Sequence, residues 1–199
     1  MLSRRLIRRS FIPIAAVAGC LTLGLSTTAS AQTGGATAPG GDPSTPSGTT
    51  ITQPSFPTVP GTRAKLTKKG KAIPPAAAPP AVQNAIMAAN AIRKAPYRYG
   101  GGHANFYDTG YDCSGAVSFA LYGGGLLSAP MPSGSFVNWG LPGKGTWITV
   151  FANGGHMYAV IAGLRWDTSS YGSGSGKGPR WRARKRSPKG FSIRHPEGY

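Results

Sequence analysis

From residue 81 onward, apolar positions recur first at helical and then at strand spacing. In PPAVQNAIMAANAIRKAP, Val82, Ile86, Ala89 and Ile92 or Arg93 share one face at the helical period. Pro79 and Pro80 supply a start, since proline's fixed φ suits a first helical turn, and Pro96 stops the helix before it. A second helix is predicted from about Cys113 to Tyr122, with Asp112 as N-cap and Gly123-Gly124-Gly125 as terminator. Val117, Ala120 and Leu121 form its buried stripe. After a loop holding Pro130 and Pro132, TWITVFA, HMYAVIAG and LRWDTS are short, β-branched or aromatic, and divided by glycines. FSIRHP adds one further strand. Two helices followed by a small antiparallel sheet predict an α+β domain over residues 81–199.

The pattern is different upstream. Residues 32–80 are rich in Gly, Thr, Ser, Pro and Ala with short basic patches, and hold too little apolar matter to offset chain entropy. They read as a flexible linker. Residues 1–31 combine a charged start (MLSRRLIRRS), the apolar FIPIAAVAGCLTLGL and an Ala29-Ser30-Ala31 site, the layout of a signal peptide cleaved before Gln32. Arg8 and Arg9, followed by Ser10, Phe11 and Ile12, resemble a twin-arginine signal. A rival reading takes Val17-Ala18-Gly19-Cys20 as a lipoprotein site, against which the apolar residues after Cys20 speak. No later stretch approaches the roughly 18 consecutive apolar residues of a membrane helix, so an extracytoplasmic protein without stable membrane insertion is expected.

Charge narrows the partner. The chain carries a net +17, and loss of Arg4, Arg5, Arg8 and Arg9 with the leader leaves +13. Its acids are Asp42, Asp108, Asp112, Asp167 and Glu197 alone. Such a balance calls for an anionic partner. Export argues against nucleic acid and for the carboxylates and phosphates of cell walls.

Export also leaves Cys113 as the sole cysteine of the mature chain. A thiol attacks only as thiolate, and the first turn of a helix favours that anion and can hold an oxyanion on its free N–H groups. Asp112 and Ser114 flank Cys113 with cap-like rather than core-like character. A base must come from His103, His156 or His195. His156 heads an apolar strand after the Gly154-Gly155 turn, and Asp167 on the following strand stands where it can orient an imidazole. His103 lies close in sequence within a glycine-rich loop, and His195 near the C-terminus is the weakest candidate. No metal site or cofactor is expected: the histidines do not cluster, and Gly100-Gly101-Gly102 lacks the Lys-Ser/Thr of a phosphate loop.

PYRYGG at 96–101, YDCSG at 111–115, PSGSFVN at 132–138 and GGHMYAVIAG at 154–163 together resemble the NlpC-type cysteine peptidases of peptidoglycan. The resemblance implies a compact papain-like α+β domain, with the helices packed on the sheet. It makes Cys113 the nucleophile and His156 the general base, and places Tyr97 beside the thiolate. Asp112 and Ser114 would bind the free amine of a stem peptide. The reaction implied is hydrolysis of the bond between D-glutamate and the diamino acid. The family's third residue is usually His, Asn or Gln, and Asp167 stands at the matching strand here. Two other readings stay open at this level: an inactive wall-binding protein on the same fold, and a wall amidase or transpeptidase. The insert SSYGSGSGKGPRWRARKRSPKG reads as a solvated loop or as a wall contact, with the basic segment Lys177 to Lys189 meeting anionic polymers and Trp181 stacking on sugar.

Overall fold

The computed structural model describes residues 56–169 and 178–199. The signal segment 1–31, the stretch 32–55 and the glycine-serine run 170–177 lie outside the described residues. The chain folds as β1 (Lys65–Leu66), β2 (Ala72–Ile73), α1 (Pro80–Ile92), α2 (Cys113–Gly123) and α3 (Ser133–Phe136). There follow β3 (Leu141–Pro142), β4 (Ile148–Ala152), β5 (Met157–Ile161), β6 (Leu164–Asp167), β7 (Arg180–Arg182) and β8 (Ser192–His195). Strands β3 to β8 form one antiparallel sheet in the order β3-β8-β4-β5-β6-β7, and β1 and β2 form a separate hairpin. The α+β architecture is the one the hydrophobic periods demand.

Each helix begins where its local chemistry places it. Proline opens α1, and in α2 the Asp112 carboxylate accepts a hydrogen bond from Gly115 N at 2.8 Å. Val82, Ile86 and Ala89 of α1 and Val117, Ala120 and Leu121 of α2 are all buried. The helices pack on each other, and α2 also rests on β5 and β6. Alternation along the strands turns Ile148, Val150, Ala152, Met157, Ala159, Ile161, Leu164 and Trp166 into this core. Thr149, Phe151, Tyr158, Arg165 and Asp167 take the opposite parity. The indole N–H of Trp166 donates to the Ala116 carbonyl at 2.9 Å and so ties β6 to the first turn of α2. Strands β5 and β6 meet through the two-residue turn Ala162-Gly163, where both φ values are positive (44° and 83°), the geometry that matches strand twist.

Two expectations are corrected. Of the segment read as a linker, residues 56–79 are folded: Ala72 is buried, and both its N–H and its carbonyl bond to the Asn90 side chain of α1 at 2.9 and 2.7 Å. Their low apolar content is offset by backbone pairing and by this buried amide. The basic insert is no loop over Arg180–Arg182, because β7 pairs there with β6 through Trp166↔Trp181. Trp181 is buried against Trp166, with ring centroids 4.9 Å apart, and its N–H donates to Asn90 Oδ1 at 3.1 Å. It therefore cannot stack on a sugar. No described helix is long and apolar enough to cross a membrane.

Candidate active site

Cys113 is the first residue of α2, partly exposed and unpaired. The loop before it is held by close backbone contact. Asp112 N donates to the Gly101 carbonyl at 3.2 Å, and a Cβ at either Gly115 or Gly101 would overlap neighbouring backbone oxygen. Gly115 packs on the Gly101 carbonyl, and Gly101 in turn packs on that of Gly110. These contacts fix the first turn of α2, where the Asp112 side chain accepts from Gly115 N and its carbonyl from Ala116 N.

His156 stands just before β5, its turn closed by Asn153 Oδ1 accepting from His156 N at 2.8 Å. Its imidazole lies near enough to Cys113 for the thiol to favour the charged ring. Its Nε2 lies 3.1 Å from Asp167 Oδ1. Burial opposes the charged imidazole, but the Asp167 hydrogen bond and the Cys113 thiol, with their charges, outweigh it and push the His156 pKa up to about 9. Asp167 has no solvent-exposed side-chain surface. Burial would raise its pKa; the His156 and Ser169 hydrogen bonds and the charges of His156 and Arg165 reverse the sign and hold it below the usual carboxylate value. The three residues singled out as catalytic therefore come together in one line.

Asp167 is more heavily partnered than the sequence reading anticipates. Ser169 donates its N–H to Oδ1 at 2.8 Å and its hydroxyl to Oδ2 at 3.1 Å. Arg165 Nε and Arg186 Nη1 each lie 3.3 Å from Oδ2. Arg186 comes from the basic insert, where nothing in the run RWRARKRSPKG marks it from its neighbours. Arg165 was missed as well, although its place two residues before Asp167 on a strand puts both on one face.

Tyr97 is half exposed and bridges to Tyr111. Burial first, and then the charges of Cys113 and Asp112, raise its phenol pKa. Asp112 and Ser114 are both buried. Asp112 accepts from Gly115 N, Gly100 N and Ser114 Oγ, and His103 Nε2 lies 3.0 Å from Asp112 Oδ2 and 2.9 Å from Ser114 Oγ. The His103 ring thus caps this pair. Sequence reasoning set His103 aside as the base; it lies at the site in another position. His195 instead engages the Gly143 carbonyl at 3.2 Å. No cluster of three or more His, Cys, Asp or Glu forms among the described residues.

No protein-family model and no curated protein matches the chain. Among solved structures, it is similar to the peptidoglycan hydrolase RipB from Mycobacterium tuberculosis, with 24% identity and a TM-score of 0.46 over 60% of this chain and 66% of that one. It is also similar to a hypothetical invasion protein of Mycobacterium tuberculosis, with 20% identity and a TM-score of 0.41 over 57% and 61%. RipA, a resuscitation promoting factor interacting protein in a cysteine-mutated form, shows 21% identity and a TM-score of 0.40 over 58% and 62%. The chain thus spans 61 to 66% of the length of these solved chains.

Proposed function

We propose that the chain is an exported cysteine peptidase that hydrolyses a peptide bond of the peptidoglycan stem, the bond between D-glutamate and the diamino acid. The observation that carries the reaction type is the line from Cys113, at the head of α2, through His156 to the buried Asp167. The wall substrate follows from the four ordered motifs of residues 96–163 together with the strong positive charge.

In this mechanism the Cys113 thiolate attacks the scissile carbonyl, and first-turn N–H groups of α2 receive the oxyanion. The His156 imidazolium gives its proton to the departing amine as the carbon–nitrogen bond breaks. Neutral His156 then takes a proton from water, whose oxygen attacks the thioester and releases the new carboxylate and the free thiol. Asp167 holds Nε2 and stabilises the imidazolium between these steps. Tyr97 packs beside the reacting carbonyl, and Asp112, Ser114 and His103 shape the end of the cleft that takes the stem's free amine.

The test is release of stem-peptide fragments from purified sacculi, read by mass spectrometry. Cys113→Ala abolishes release while leaving the circular dichroism spectrum unchanged; full retained activity in that variant sinks the assignment. New amines appearing without any amine acceptor distinguish hydrolysis from transpeptidation.

A further inference from the structure

The sheet face turned away from the helical core carries a second concavity, unrelated to the thiol. It is a cavity of about 290 Å³, lined by Arg63, Lys144, Arg165, Arg184, Lys185 and Arg186. No acidic side chain lines it. These six cations come from four separate parts of the chain: the segment before β1, the β3–β4 loop, β6 and the stretch after β7. No single basic run creates the site. The fold assembles it.

Its floor is aromatic and contains a polar atom in an unusual position. Phe151 and Tyr158 are registered partners on β4 and β5 and stack with centroids 4.6 Å apart. Tyr158 is only 1% exposed, and its hydroxyl has no hydrogen-bond partner among the described residues. A buried hydroxyl without a partner carries a desolvation penalty. Burial, the largest influence, pushes the Tyr158 pKa up to about 12, so at neutral pH the group is a donor. Above the ring, Arg186 sits 5.4 Å from the Tyr158 centroid and 5.2 Å from that of Phe191.

We propose that this cavity is a binding site for a phosphate oxyanion, free or carried on a compact ester, with the Tyr158 hydroxyl and the surrounding guanidinium and ammonium groups as donors. A planar guanidinium presents paired N–H groups that match two phosphate oxygens, and several converging cations suit a dianion better than a single carboxylate. The volume lies at the lower end for small-ligand pockets, which run to roughly 300–1,000 Å³, and this favours a single compact group. Arg165 and Arg186 already share Oδ2 of Asp167, so the ligand lies behind the carboxylate that faces His156. Binding here is independent of the peptidase reading, and its measurement needs no cleavage assay.

The experiment titrates the full chain with inorganic phosphate and with glycerol 3-phosphate by calorimetry, at constant ionic strength set with chloride. A saturable single-site isotherm is expected for at least one of the two, and the stronger one identifies the free or esterified group. Lys144→Ser with Lys185→Ser weakens that binding about tenfold or more. Tyr158→Phe, which removes only the hydroxyl, weakens it severalfold. Lys68→Ser with Lys69→Ser removes the same charge elsewhere and leaves it unchanged. A non-saturable heat for both anions, or equal weakening by the two lysine pairs, overturns the proposal in favour of general attraction to a basic protein.

Discussion

Asp167 concentrates most of the site's electrostatics in one carboxylate. It accepts from His156, from Ser169 twice and from Arg186, and is ion-paired with Arg165, while fully buried. Asp167→Asn keeps the shape but removes the charge that offsets Arg165 and Arg186. Turnover should fall by roughly 10²-fold, the scale of a misdirected general base. The His156 titration should also drop from about 9, a change visible by NMR that a merely structural loss does not produce. An unchanged titration would place the orienting group elsewhere. The sign of the pH effect on stability follows from the same imidazole. Its folded value of about 9 exceeds the ordinary 6.5, so its contribution is complete below about pH 6.5 and is lost as the pH climbs through about 9. Thermal melts of the wild type against His156→Gln should converge across that window. A gap that widens with pH contradicts this ion pair.

At the scale of elements, the decisive contact is the one between the 100–102 loop and the start of α2. Gly115→Ala forces a methyl into the Gly101 carbonyl, and because the obstacle is backbone no side chain can swing aside. A loss of about 1–3 kcal/mol is expected, as for overpacked cores, and is measurable as a lowered Tm. Unchanged stability would mean that the loop is free to retreat. Much of this level was legible. The helix limits, the Asp112 cap and four of the strands follow from periodicity and from glycine and proline punctuation. The strands that escaped do not alternate in hydrophobicity. Leu141–Pro142 is two residues long, and Arg180–Arg182 reads as a charge run until Trp181 is seen against Trp166. The role of Asp112 and Ser114 was readable only as position. Their enclosure by His103 depends on a loop path that no local pattern encodes.

At the scale of the molecule, the boundary of the folded unit moves. Removing residues 56–79 would strand the Asn90 amide, which serves Ala72 and Trp181 at once inside the protein. A chain starting at residue 81 should therefore melt well below one starting at residue 56, because unpaired buried amide groups carry a direct penalty. Equal melting temperatures would restore the linker reading for this stretch. The same logic warns against deleting the basic segment wholesale, since that removes β7 and Arg186 along with the surface charge.

The indole of Trp166 reaches across from the sheet to the opening turn of the helix that bears the thiol. On the proposed function, nucleophile and base belong to different layers, and neither layer alone holds a competent pair. Activity would then report on the docking of the two layers. Partial opening that parts helix from sheet would silence the chain while each layer keeps its own backbone bonds. A hydrolase of that design would be harmless until it is whole.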